Sequence, residues 1–283
     1  MAAGIERIDF KGLPALRLGA GNGASAVVSL FGGQVLSWTP PGGQERLYLS
    51  PAARFDGSTP IRGGIPVCFP QFADLGPLPQ HGFARTANWS VLNERSGEGY
   101  ALATLGLRDD DATRALWPHA FTAELSVLVE DARLDLEFEV TNTGGEGFDF
   151  TAALHTYLAV REVEETRVEG LHGYSYRDKA DANRIGRDSG DVLLIEAETD
   201  RVYHGVERPL LLREYDRSLG INNADGFVDV AVWNPWVERS AAIADLPDDA
   251  FRRMLCIEAA AARQPLQLAA GKSWWGRQTL VAL

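Results

Sequence analysis

Two residues of this 283-residue chain have the type and surroundings needed for proton transfer. Glu258 closes the apolar run Met254-Leu255-Cys256-Ile257 and is followed by four alanines, Ala259 to Ala262. A carboxylate in such company is short of water, and desolvation lifts its pKa toward neutrality, where it works as a general base. A salt-bridged glutamate at a strand end would have the same local sequence, so the alternative stays open. His155 lies on the strand face opposite Leu154, with Ala153 and Tyr157 as same-side neighbours. Imidazole is the default proton donor near pH 7, although a satisfied core histidine is the commoner outcome.

A second set of groups suits an anion. Arg62, His81 and Arg85 lie in the proline- and glycine-rich stretch Pro60 to Trp89, which cannot be a long helix or a regular central strand. It reads as an irregular loop held rigid, since proline fixes φ and glycine admits close backbone approach. Each guanidinium presents several coplanar donors and can hold a phosphate bidentately. Ion pairing with some of the 39 acidic residues is the competing use, weaker for two arginines flanking one loop. A metal site on His81, His155 and Glu258 ranks below acid–base chemistry, because no close HxxxH or HxD pair is present. No G-x-S-x-G elbow exists for a serine hydrolase.

The elements that must position these groups are strands. Leu134 to Val140 alternates apolar and acidic residues with period two, which predicts one buried and one wet face. Phe121 to Val129 alternates as well and joins it through a short turn, predicting a hairpin. Phe148 to Val160 sets Phe150, Ala152, Leu154 and Leu158 on one face and Thr151, His155 and Tyr157 on the other. Further strands are expected within Ala15–Trp38, at Trp89–Leu92, Tyr100–Leu105, Val192–Ile195, Leu210–Arg213 and Val228–Trp233, and around Met254–Ile257 and Gln278–Leu283. Thr199 to Tyr203 falls between strands, and residues 161–191 read as loops around short strands. The acidic start, early proline and basic end of Asp245–Arg253 predict a short helix. Many short strands with almost no helical periodicity indicate an all-β sandwich or barrel.

Composition closes off several classes of partner. A net charge of −12 argues against nucleic acid or an anionic membrane. The N-terminal stretch shows no leader and no window is apolar for long enough to span a membrane, so a cytoplasmic protein is expected. Cys68 and Cys256 each sit in an apolar run and read as buried thiols, neither disulfide nor metal ligands.

The runs RGGIPVCFPQF and LPQHGFAR, followed in order by LHTYLAV, ETDRVY, VWNPW and CIEAA, resemble the glucose-6-phosphate 1-epimerase branch of the aldose 1-epimerase (hexose mutarotase) family over roughly residues 60–262. That resemblance implies one domain over residues 1–283, a large antiparallel two-sheet β-sandwich of the galactose mutarotase type with the site on a concave sheet face. It implies Glu258 as the base at the C1 hydroxyl and His155 as the acid at the ring oxygen. His81 would bind near that oxygen, Asp200 would accept a sugar hydroxyl, and Trp236 would stack on the ring. Arg62 and Arg85 would hold a phosphate. The expected partner is a phosphorylated sugar, with no metal or organic cofactor required and a monomer sufficient. Gln71 and Ala259 to Ala262 depart from the family pattern. A non-catalytic sugar-binding module on the same fold, a mutarotase of unphosphorylated aldoses, and a glycoside-cleaving enzyme using Asp200 with Glu258 are the alternatives.

Overall fold

Period-two alternation becomes pleated sheet wherever the sequence carries it. The structure is a computed structural model that describes residues 3–283, so the first two residues of the N-terminal stretch read for a leader lie outside the described residues. Three sheets form, and strands pair antiparallel throughout. A four-stranded sheet holds β1 (Gly4–Phe10), β2 (Leu13–Gly19), β3 (Ser25–Ser29) and β4 (Val35–Thr39) in that order. The eight-stranded sheet that carries the site runs β14 (Arg184–Arg187), β13 (Ser175–Asp178), β16 (Thr199–Tyr203), β19 (Asp229–Asn234), β20 (Met254–Leu268), β10 (Phe148–Leu154) and β5 (Val67–Cys68), with β11 (Tyr157–Ala159) also paired to β20. The nine-stranded sheet runs β15 (Val192–Leu193), β12 (Arg167–Glu169), β17 (Leu210–Arg213), β18 (Ser218–Asp225), β21 (Ser273–Ala282), β9 (Arg133–Asn142), β8 (Phe121–Glu130), β7 (Tyr100–Arg108) and β6 (Ser90–Ser96). No helix among the described residues is long and apolar enough to cross a membrane.

The two large sheets bury one common core. Leu255, Ile257, Ala259 and Ala261 of β20 share it with Leu134, Leu136, Phe138 and Val140 of β9. The alternate residues of β20 face the other way, where Ala260 and Ala262 join Cys68, Ala153, Val202 and Ala231 in a separate apolar layer. Small side chains on that second face leave space above the sheet, which is where a ligand can lie.

The loop rich in proline and glycine is anchored at Phe69. This ring is wholly buried and packs edge-on against Trp117, Phe121, Phe138 and Phe150 at centroid distances of 5.2–5.8 Å. Edge-to-face stacking adds to the large area such a ring removes from water. Gly82 completes the anchor: its φ of 69° is open to glycine, and a Cβ there would lie 2.2 Å from the Phe69 carbonyl oxygen.

Several local expectations change. Asp245–Arg253 forms only a 3-10 turn at Ala250–Arg253, because Asp245, the residue that would start a helix, is bound instead by Arg62 Nε at 3.1 Å. The two α-helices among the described residues are α1 (Asp111–Leu116), opened by a reciprocal Asp110–Thr113 capping box, and α2 (Trp236–Ala242). Each is too short to display a helical period. Thr199–Tyr203 is itself a strand, β1 lies ahead of the expected first strand, and Phe148–Val160 is broken at His155 and Thr156. Asp135, on the face expected to be wet, is buried and accepts from Thr279 Oγ1 at 2.5 Å and from Arg133.

Because the Phe69 ring ties the loop to both sheets, Phe69→Ala is expected to destabilise the protein by about 3–5 kcal/mol. Equilibrium urea unfolding measures this, and a loss under about 1 kcal/mol would show that the loop is held by something else.

Candidate active site

Strand register brings the two proton-transfer candidates level. Leu154 pairs with Ala259 and Tyr157 with Cys256 in one register, so His155 falls directly opposite Glu258. Residues opposite one another share a sheet face, and here that is the face lined by small residues. His155 Nε2 lies 3.4 Å from Glu258 Oε1. Glu258 is 2% exposed and His155 8%, and neither Glu258 Oε2 nor His155 Nδ1 has a hydrogen-bond partner. Buried polar atoms are usually paired; here both free atoms belong to groups on the face lined by small residues. Glu258 sits in mid-strand rather than at a strand end.

The same register extends the site across the sheet. Beyond β20, Ala231 pairs with Glu258 and Trp233 with Cys256; beyond β19, Val202 pairs with Ala231 and Asp200 with Trp233. Lys179 follows β13 and its backbone N–H donates to Asp200 O at 2.7 Å. Two rows therefore cross the face, Tyr157–Cys256–Trp233–Asp200–Lys179 and His155–Glu258–Ala231–Val202. Above them lies a cleft of about 420 Å³, lined by Arg62, His81, Arg85, His155, Asp200 and Glu258 together with Tyr157, Trp233, Lys179 and Arg239.

The loop supplies the wall beside His155. Ala73 N–H donates to His81 Nδ1 at 3.2 Å. An amide can only donate, so Nδ1 carries the lone pair and Nε2 carries the proton of the neutral ring. Burial, helped by Arg85, Lys179 and Arg62, pushes the His81 pKa down to about 3, which keeps the ring a neutral donor. The His81 and His155 rings meet edge-on at 5.2 Å. Arg62 Nη1 donates to Tyr157 Oη at 3.0 Å, and its Nε is taken by Asp245. Arg85 Nη2 donates to Gln80 O at 2.7 Å, while its buried Nε has no partner.

Six of the seven expected site residues thus line one cleft, and Trp236 does not. Its ring packs 5.1 Å from Phe251, and Asn234 Oδ1 accepts its backbone N–H at 2.9 Å. The indole that does line the cleft is Trp233, three residues earlier on β19. Period two from Ala231 was the available signal for it. Tyr157 stacks on His155 at 4.7 Å with 13° between the planes, as its two-residue offset from His155 allows. Lys179 and Arg239 had no sequence signal, being charged residues in polar segments.

Burial dominates the electrostatics. It raises the Glu258 pKa well above the ordinary carboxylate value, with Asp200 adding to the rise and Lys179 opposing it. It lowers the His155 pKa well below the ordinary imidazole value, with His81, Arg85 and Arg62 adding to the fall. Both shifts disfavour charge, so the pair holds one proton over a wide pH span and offers one acid and one base. Asp200 is raised by burial as well, with Lys179 the chief opposing influence.

Ligand atoms of His155, Cys256 and Glu258 lie within 4.8 Å of one another. Burial raises the Cys256 thiol well above its ordinary pKa. His81, the third member of the metal set weighed from sequence, is not part of this group.

The raised Glu258 pKa has a stability consequence. A carboxyl that holds its proton more tightly when folded contributes stability that is complete below its unfolded value of 4.5 and is lost as pH rises through the folded pKa. Glu258→Gln keeps the shape without the charge. It is expected to unfold at a higher temperature than the parent at pH 8, with the gap closing as pH falls toward 4.5. Thermal unfolding followed across pH tests this, and a gap that does not change with pH would contradict it.

Comparison with known proteins accords with this geometry. A family model described as aldose 1-epimerase matches residues 14–280. A protein of Cenchrus ciliaris, provisionally named glucose-6-phosphate 1-epimerase, is 36% identical over 290 residues, covering 99% of this chain and 86% of its own length. One of Salmonella typhimurium with the same provisional name is 32% identical over 246 residues, covering 86% and 81%. The crystal structure of YeaD from Salmonella typhimurium, provisionally described as a mutarotase, superposes with a TM-score of 0.91 at 29% identity, covering 99% of this chain and 93% of that one. With residues 14–280 matched by the family model and a relative 36% identical over 99% of its length, this chain belongs to the aldose 1-epimerase family.

Proposed function

We propose that this protein is a mutarotase that interconverts the α and β anomers of an aldohexose 6-phosphate, glucose 6-phosphate foremost. The observation that carries the reading is the 3.4 Å contact between two buried and otherwise unspent groups, His155 and Glu258. Mutarotation needs one proton removed from the C1 hydroxyl while another is delivered to the ring oxygen. When the sugar's hydroxyls replace lost water, the proton the pair shares passes from Glu258 to His155. Glu258, now a carboxylate, takes the first proton and His155, now an imidazolium, gives the second, the C1–O5 bond breaks, and the open-chain aldehyde rotates about C1–C2. Closure on the other carbonyl face reverses both transfers and restores the pair. His81, as an Nε2–H donor, steadies the oxygen that gains electron density.

Ring order supports the placement of the phosphate. With O1 at Glu258 and O5 at His155, C5 and C6 continue on the His155 side, where Arg62 and Arg85 lie. Burial lowers the Arg85 pKa, so its charge is one that an anion would stabilise. Asp200, across Trp233 on the far side, accepts a sugar hydroxyl. All of these groups come from one chain, so a monomer folded as one domain is enough. Two free, buried cysteines suit a reducing cytoplasm.

Glu258→Gln and His155→Ala are each expected to lower catalysed anomer exchange by about 10²–10⁴-fold, read by NMR exchange spectroscopy on glucose 6-phosphate. Near-parental rates in either folded variant would remove the assignment.

The phosphate reading is tested separately. Arg85→Ala is expected to raise KM for glucose 6-phosphate about ten-fold or more with little change for glucose, as loss of a charge-assisted hydrogen bond implies. Arg62→Ala should in addition lower kcat, because Arg62 also holds Tyr157 against His155. Equal KM effects on both sugars would favour an unphosphorylated substrate.

A further inference from the structure

A cation borne by the far strands reaches over the cleft to the loop that carries the arginines, and proton transfer and phosphate binding leave it unused. Lys179 lies level with Asp200 across the edge of the sheet, its backbone tied to the Asp200 carbonyl oxygen at 2.7 Å, and its side chain lines the cleft. Its Nζ is engaged by Asp74 Oδ1 at 2.9 Å. That partner belongs to the same Pro60–Trp89 loop as Arg62, His81 and Arg85, and its side chain is 71% exposed, whereas the Lys179 side chain is 23% exposed. An exposed partner of this kind holds a lysine weakly, so exchanging it for a ligand is nearly free.

We propose that Lys179 and Asp200 form a donor–acceptor pair that reads the hydroxyls on the C2–C3 edge of the sugar, with Lys179 leaving Asp74 when substrate enters. The proposal rests on the mutarotase reading and deepens it. An ammonium only donates and a carboxylate only accepts, while each hydroxyl does both. Two neighbouring hydroxyls are therefore matched by one group of each kind. Ring order makes this the edge they meet. With C1 at Glu258 and C5 and C6 directed toward Arg62 and Arg85, the C2–C3 edge is left facing β16 and β13. Trp233, level with Asp200 on β19, provides apolar surface beneath the ring. Asp200 and Lys179 also act on Glu258 in opposite directions, Asp200 raising its pKa and Lys179 lowering it, in keeping with both facing the same space.

The test is a variant-by-substrate comparison. Anomer exchange is measured for the parent, Lys179→Met and Asp74→Asn on glucose 6-phosphate, its 2-deoxy and 3-deoxy analogues, and glucose. Lys179→Met is expected to raise KM about ten-fold on glucose 6-phosphate and on glucose, the loss anticipated for one hydrogen bond to a charged donor. On the deoxy analogue lacking the hydroxyl that Lys179 holds, the change should fall below about two-fold. Asp74→Asn should keep the parental pattern across all four sugars. Equal losses of Lys179→Met on all four sugars, a loss confined to phosphorylated ones, or an Asp74→Asn variant behaving like Lys179→Met would overturn the proposal while leaving the mutarotase reading intact. Failure of the parent to exchange any of the four sugars would overturn both.

Discussion

The site depends on a single matter of register: His155 must stand opposite Glu258. β10 and β11 hold it from either side, pairing Leu154 with Ala259 and Tyr157 with Cys256. A slip of one residue would turn Glu258 into the sandwich core, where Ile257 and Ala259 now lie, and would send Ile257 into the cleft. The apolar cost of that exchange is what holds His155 opposite Glu258. Hydrophobic alternation on β20 thus does two things with one period, filling the core with odd-numbered residues and presenting Glu258 among alanines with the even ones.

Placing a carboxylate there is unfavourable in itself, and the surroundings show how the tension is held. Glu258 has one oxygen against His155 and the other without a partner, and the positive charge that opposes the rise in its pKa is that of Lys179. Desolvation on both members keeps the pair close to neutral. A functional group left partly unsatisfied costs stability, and the tightly packed aromatic cluster around Phe69 offsets it elsewhere in the same molecule. The same cluster anchors at Phe69 the loop that carries His81 and Arg85.

The two walls have different chemistry for a topological reason. The wall beside His155 is made by the loop between β4 and β6, rich in proline and glycine, which crosses the end of the sheet at β5 and brings Arg62, His81 and Arg85 together. The opposite wall comes from the far strands of the sheet, where Asp200 and Lys179 sit level with each other. The space over Ala231 and Trp233 thus has guanidinium groups and a neutral imidazole on one side and Asp200 with Lys179 on the other.

Sequence by itself determined whatever depends on neighbours along the chain. Period two set the strands and the β8–β9 hairpin, the prolines and glycines set the rigid loop, and the apolar run before Glu258 announced its burial. The order of several short motifs pointed to the family, and with it to His155. Only the tertiary structure decided what depends on neighbours across the sheet. Trp233 and not Trp236 lines the cleft because strand pairing, not the nearby proline, aims the side chain. Of Asp245–Arg253 only Ala250–Arg253 turns, as a 3-10 element, while Asp245 accepts from Arg62, a partner 183 positions away. Lys179 lies in a charged segment with no pattern of its own, and its place in the cleft follows from the pairing of β13 with β16. Local periodicity is written in adjacent residues, whereas register is a sum over many weak contacts between distant ones, and no short stretch of sequence contains it.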